Sequence, residues 1–117
     1  MNRFRREPGF ELAVDAIGGI LALSVRGSLV AADDQLRECF DQAVRGGRPV
    51  VLDLTDADVI DDAAVETLME GHRRLATRLR VVIARGGPVH EALRRARVSH
   101  VLALHGSRAE ALAASGG

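Results

Sequence analysis

A chain of 117 residues with 47% hydrophobic and 27% charged residues has the length and composition of one globular domain, which excludes a disordered, collagen-like or disulfide-scaffold protein. Its sixteen basic and sixteen acidic residues cancel, so no global field draws it to nucleic acid or to a membrane surface. Every basic residue is arginine, which excludes chemistry that needs a Schiff-base or phosphate-loop lysine and points to a GC-rich bacterial source.

In chain order, residues 1–9 hold Arg3, Arg5 and Arg6 and end in Pro8-Gly9, the composition of a flexible arm followed by a turn. Phe10 to Asp15 alternates apolar and polar residues as a half-buried strand does, and Gly18-Gly19 supplies a turn into a second strand, Ile20 to Val25. Gly27-Ser28-Leu29 ends this hairpin. From Ala32 the apolar positions Leu36, Phe40, Ala43 and Val44 recur at helical spacing until Gly46-Gly47 stops them. Pro49 introduces Val50-Val51-Leu52-Asp53-Leu54, a continuous apolar run of the kind found in a central strand covered on both faces.

An aspartate-rich stretch follows, in which Asp56 and Asp58 read as turn residues. The next helix can start at Asp61 or Asp62 and continues through Val65, Leu68, Met69, His72 and Leu75 to a strand at Leu79 to Ala84. Pro88 opens a helix carrying Val89, Ala92, Leu93 and Ala96, near the first helical position where its missing N–H costs least. Val101 to Leu104 is a last strand, Ser107 caps a terminal helix containing Ala111 and Leu112, and residues 114–117 are a flexible end. The order β-β-α-β-α-β-α-β-α over residues 10–113 demands parallel neighbours in a mixed, mostly parallel sheet covered by about four helices, an α/β domain. Function in such sheets sits at the carboxyl ends of the strands, where the aspartates lie.

The chemistry-bearing residues are sparse. Cys39 is the single cysteine, so neither an internal disulfide nor a cysteine-rich zinc site is available, and beside Phe40 it reads as a small core residue. His72, His90, His100 and His105 are scattered and would not share one face. No metal site, cofactor or catalytic residue is therefore expected. Carboxylate pairs among Asp53, Asp56, Asp58, Asp61 and Asp62 leave open an acid-dependent or phospho-acceptor enzyme using Asp53 or Asp61. The receiver-domain version of that reading fails because the chain starts with a hairpin, has no acidic pair after its first strand and has no lysine. No run is apolar enough to span a bilayer, and the N-terminus lacks the apolar core of a signal peptide, so a cytoplasmic location is expected.

The run Val51-Leu52-Asp53-Leu54-Thr55, followed by Val59-Ile60-Asp61-Asp62-Ala63-Ala64-Val65, resembles the central signature of the sulphate transporter and anti-sigma factor antagonist (STAS) domain. That signature reads D-L-S, a few residues, then F-I-D-S-S-G-L. Arg26-Gly27-Ser28-Leu29 is similar to the family's R-G-E-L, and the likeness extends from Phe10 to Leu112. It implies a STAS-like fold and a non-enzymatic regulatory module that docks on an anti-sigma factor, or on a related serine-kinase-type protein that phosphorylates a serine at the start of the second helix. Asp62 takes the place of that serine, Ala63 of the next serine, Ala64 of the glycine, and Asp61 matches the preceding aspartate. Ser28 replaces the family's glutamate, and Val30 an acidic residue beyond it.

The partner-binding surface implied is Ser28, Thr55, Asp61, Asp62, Ala63 and Ala64. Two roles for Asp62 stay open, a permanent charge in place of a regulated one or a helix cap stabilising by about 1 kcal/mol. A subunit of a membrane transport complex is the other role the resemblance allows.

Overall fold

The structure, a computed structural model, describes residues 3–7, 10–29 and 33–116. Its elements are β1 (Arg3–Glu7), β2 (Phe10–Ile17), β3 (Ile20–Leu29), α1 (Asp33–Gly46), β4 (Val50–Ile60), α2 (Asp62–Leu75), a single 3-10 turn (Ala76–Arg78), β5 (Leu79–Val82), α3 (Pro88–Arg95), β6 (Ala103–His105) and α4 (Arg108–Gly116). All six strands form one sheet in the order β1-β2-β3-β4-β5-β6, antiparallel from β1 to β3 and parallel from β3 to β6. The hairpin and the helical crossovers dictate that change of direction, because two residues reverse a chain whereas a parallel return needs an intervening element. Gly18 and Gly19 make the reversal at φ +54° and +84°, values that only glycine adopts without strain.

Two unequal cores explain the apolar run of β4. Val50, Leu52 and Leu54 face a large cluster with Leu36 and Phe40 of α1, Leu68 and Leu75 of α2, and Val89 and Leu93 of α3. Val51 faces the other way, joining Ile20, Val82 and Ala111 against Leu112 of α4. A strand between two helical layers must be apolar on both sides, and each fully buried leucine stabilises by about 1.5–3 kcal/mol.

The strand boundaries depart from the sequence expectation in ways that matter for the site. β4 does not stop at Leu54 but continues to Ile60, so Asp56 and Asp58 are exposed strand residues rather than turn residues. The β3–β4 register shifts twice: Ser24 pairs with Asp53 but Arg26 with Asp56, and Gly27 with Ala57 but Ser28 with Val59. Each shift inserts an extra residue into β4, which bends and twists it. Leu54 and Ala57 thus stay buried three residues apart while Thr55, Asp56, Asp58 and Val59 turn to solvent. A burial period of three does not read as a strand, which is why this stretch looks like a loop in sequence.

Secondary structure also reaches into both expected ends. β1 lies within residues 1–9 and pairs with β2 from Arg3↔Val14 to Glu7↔Phe10, and α4 takes in residues 114–116. The segment Arg3–Glu7 carries four charges in five residues, a composition that suits an edge strand, where charge discourages pairing with other chains. Pro8, Gly9 and Val30 lie outside the described residues.

Candidate functional site

The end of β4 passes into α2 through one residue, Asp61. Its backbone is extended at φ −94° and ψ 173°, and its Oδ1 accepts the N–H of Ala64 at 2.9 Å, satisfying a donor that the helix cannot. The N–H of Asp61 donates to the Leu29 carbonyl at 3.4 Å, and its own carbonyl accepts the first helical bond from Val65 at 3.0 Å. Asp61 therefore closes β3, β4 and α2 together. The capping reading of Asp62 is corrected by this geometry: Asp61 is the cap, and Asp62 is the first residue of the helix.

Asp62 is exposed and, among the described residues, forms no side-chain hydrogen bond or ion pair. Its carboxylate stands where the unpaired N–H groups and the positive end of the α2 dipole favour a negative charge. Ala63 is exposed beside it, whereas Ala64 is 1% exposed and packs into the core. The side chain of Ala64 is thus a packing element, and only Asp62 and Ala63 of the helix start face solvent.

The remaining expected contact residues are placed unequally. Ser28 is half-buried and opposite Val59, close to the α2 start. Thr55 lies within the first register shift, farther down β4, where its N–H and its hydroxyl donate to Oδ1 of Asp53 at 2.9 and 2.5 Å. Asp53 serves its own strand and Asp61 its own helix, so the two carboxylates do not form an acid–base pair. Among the described residues no group of three or more His, Cys, Asp or Glu side chains is arranged to hold a metal ion.

The fold adds neighbours that the one-dimensional pattern does not assign to the site. A shallow groove of about 200 Å³ lies between the start of α2 and the face of α3. Ile60, Val65, Ala92 and Ala96 supply its apolar lining, and Asp62 and Arg95 its charges. Val59 projects nearby at 48% exposure, one of two large apolar side chains so exposed among the described residues. Arg95 carried a faint sequence signal as part of the polar face of α3. Val59 carried none, because its exposure comes from the second register shift.

The acidic helix start thus stands beside a groove of mixed lining at the carboxyl end of a parallel strand. The STAS domain family model matches residues 11–111 of the chain. This chain belongs to the STAS domain family.

Solved structures extend the likeness at the level of fold. An anti-sigma factor antagonist from Mycobacterium paratuberculosis superposes with a TM-score of 0.80 at 18% identity, covering 94% of this chain and 97% of that one. The anti-sigma factor antagonist SpoIIAA in its unphosphorylated form matches with a TM-score of 0.65 at 15% identity, covering 87% and 94%. An uncharacterised protein of SpoIIAA-like fold from Shewanella loihica gives 0.55 at 18% identity, covering 90% and 92%. No curated protein sequence matches the chain.

The STAS fold accounts for the element order expected from sequence, with β1 added at the edge of the sheet. No helix among the described residues is long and apolar enough to cross a membrane.

Proposed function

We propose that this STAS domain is a non-catalytic binding module of the anti-sigma factor antagonist type. It docks on an anti-sigma factor or a related serine-kinase-type regulator through Ser28, Val59, Asp62, Ala63 and the groove leading to Arg95. The observation that carries this reading is the division of labour at the helix start: Asp61 alone caps α2, so Asp62 is a charge without a structural partner among the described residues. SpoIIAA, to which the chain is similar in fold, is described in an unphosphorylated form, so phosphorylation bears on that protein. In the resemblance, the regulated serine falls on Asp62.

A phosphoserine brings close to two negative charges and three acceptor oxygens, whereas an aspartate brings one charge on a flat carboxylate. Asp62 is therefore a partial and permanent equivalent of the regulated group. Such a domain presents one unchanging docking surface, and kinase activity at this position no longer sets the affinity. The commitment of Asp53 to Thr55 and of Asp61 to Ala64 supports a binding role over an enzyme that uses either carboxylate.

The test pairs the purified protein and its Asp62→Ser variant with the anti-sigma-type serine kinases of the source genome, following affinity by calorimetry and phosphate by mass spectrometry. The expected outcome is that ATP leaves the native protein unmodified at position 62, while the variant is phosphorylated there and, before phosphorylation, binds about tenfold more tightly than the native protein. Binding to none of these kinases, together with specific binding to a transporter subunit, would replace the partner assignment.

A further inference from the structure

The parallel register of β4 and β5 places the start of β5 at the end of the sheet away from Asp62. There Thr77, Arg78 and Arg80 face the last turn of α4 across an open cleft of about 330 Å³, also lined by Pro49, Ala114 and Ser115. Two arginines line this cleft, and among the described residues no carboxylate does. Among the described residues, neither Arg78 nor Arg80 is ion-paired.

Arg80 is half-buried. One of its terminal nitrogens meets Nε2 of His105 at 3.2 Å, and its Nε is buried without a hydrogen-bond partner. A guanidinium only donates and a carboxylate only accepts, so His105 accepts at Nε2 and donates from Nδ1 to Glu110 at 2.9 Å. Arg80 thus meets a ring nitrogen rather than a carboxylate. The segment that carries Thr77 and Arg78 into the cleft begins at Ala76, with φ 52° and ψ −128°. A residue with a side chain is strained in such a conformation, and strain of this kind clusters at ligand sites.

We propose that this cleft binds a phosphate-class oxyanion, as a phosphate monoester of a small molecule or as a phosphate-bearing lipid headgroup. Like charges brought together with no counter-charge among the described residues raise the energy of the free state, and an oxyanion relieves that repulsion while using the planar donor fork of Arg78 beside the charge of Arg80. The Thr77 hydroxyl adds a donor of the right type. The volume is at the small end of the roughly 300–1,000 Å³ typical of ligand pockets, which suits a single phosphate on a small carrier.

The site stands apart from the docking surface and does not depend on the role assigned to Asp62. The experiment follows amide NMR shifts of the full chain during titration with glycerol phosphate at fixed ionic strength, with sedimentation on phosphatidic acid or phosphatidylcholine vesicles beside it. Arg78→Gln removes a cleft charge, and Arg73→Gln removes an exposed charge outside the cleft. The proposal expects saturable shifts at Thr77, Arg78 and Ser115, with affinity at least about tenfold weaker in Arg78→Gln and unchanged in Arg73→Gln. Saturable, Arg78-dependent binding to phosphatidic acid vesicles alone would assign the oxyanion to a lipid headgroup. Shifts that never saturate with no vesicle binding, or equal weakening in both variants, would overturn it and leave the arginines as partners of the C-terminal end of α4.

Discussion

Replacing Asp61 and Asp62 one at a time separates a structural carboxylate from a functional one. Asp61→Ala removes the Oδ1 acceptor of the Ala64 N–H, a 2.9 Å bond in a part-buried setting. Loss of an N-cap costs about 1 kcal/mol, and removing a negative charge from the helix N-terminus costs about 0.3–1 kcal/mol more. The expected sum is about 1.5 kcal/mol. Unfolding entropy near 2.1 cal/mol/K per residue gives about 0.25 kcal/mol/K for a domain of this length, so Tm falls by about 6 °C.

Asp62→Ala loses only the charge term and lowers Tm by about 1–4 °C, because the exposed Asp62 side chain has no bond to break. Asp61→Asn keeps the capping oxygen and belongs with the milder variant. Thermal unfolding followed by circular dichroism, with urea titration as a second measure, reads all three. Equal losses in Asp61→Ala and Asp62→Ala would refute the division of labour on which the proposed function rests.

Ala76→Gly should stabilise the domain by about 1 kcal/mol in urea unfolding, since glycine occupies φ 52° without the strain that alanine carries there. Gly71→Ala should instead cost about 1–3 kcal/mol despite its better helix propensity. A Cβ at that position of α2 would sit 2.7 Å from Cε2 of Phe40 on α1, and a gain in stability would show that the two helices pack less closely than described. Ser107→Ala removes the oxygen that accepts the Glu110 N–H at 3.1 Å, and a loss of about 0.5–2 kcal/mol is expected by the same assay. Thr55→Val should cost about 0.5–1.5 kcal/mol through its lost bond to Asp53.

What the sequence by itself determined is the part of the molecule governed by local chemistry. The Gly18-Gly19 turn, the helix of Leu36, Phe40 and Ala43, the Pro88 start and the Ser107 cap are decided by residues within one turn of each other, so their signals are complete in one dimension. The two-sided apolar run from Val50 to Leu52 likewise announces a covered central strand, and the likeness of residues 51–55 and 59–65 to the family signature pointed to the STAS fold. Which of the paired aspartates caps α2 was open in sequence, because either residue has an oxygen of the right reach. That choice is made by the backbone trajectory of β4, through the bond from the Asp61 N–H to Leu29 on β3.

Tertiary structure alone extended β4 beyond Leu54, since its exposed residues pair with β3 through two register shifts that no alternation of residue types records. It also made β1 a strand, because this charged segment of five residues is ordered by pairing with the edge of β2. The groove joining Asp62 to Arg95 and the cleft joining Arg78 and Arg80 to α4 bring together residues far apart in the chain. Such surfaces arise from how helices pack on a twisted sheet. The identity of the residues sets what each surface can recognise, and only the packing decides that they meet.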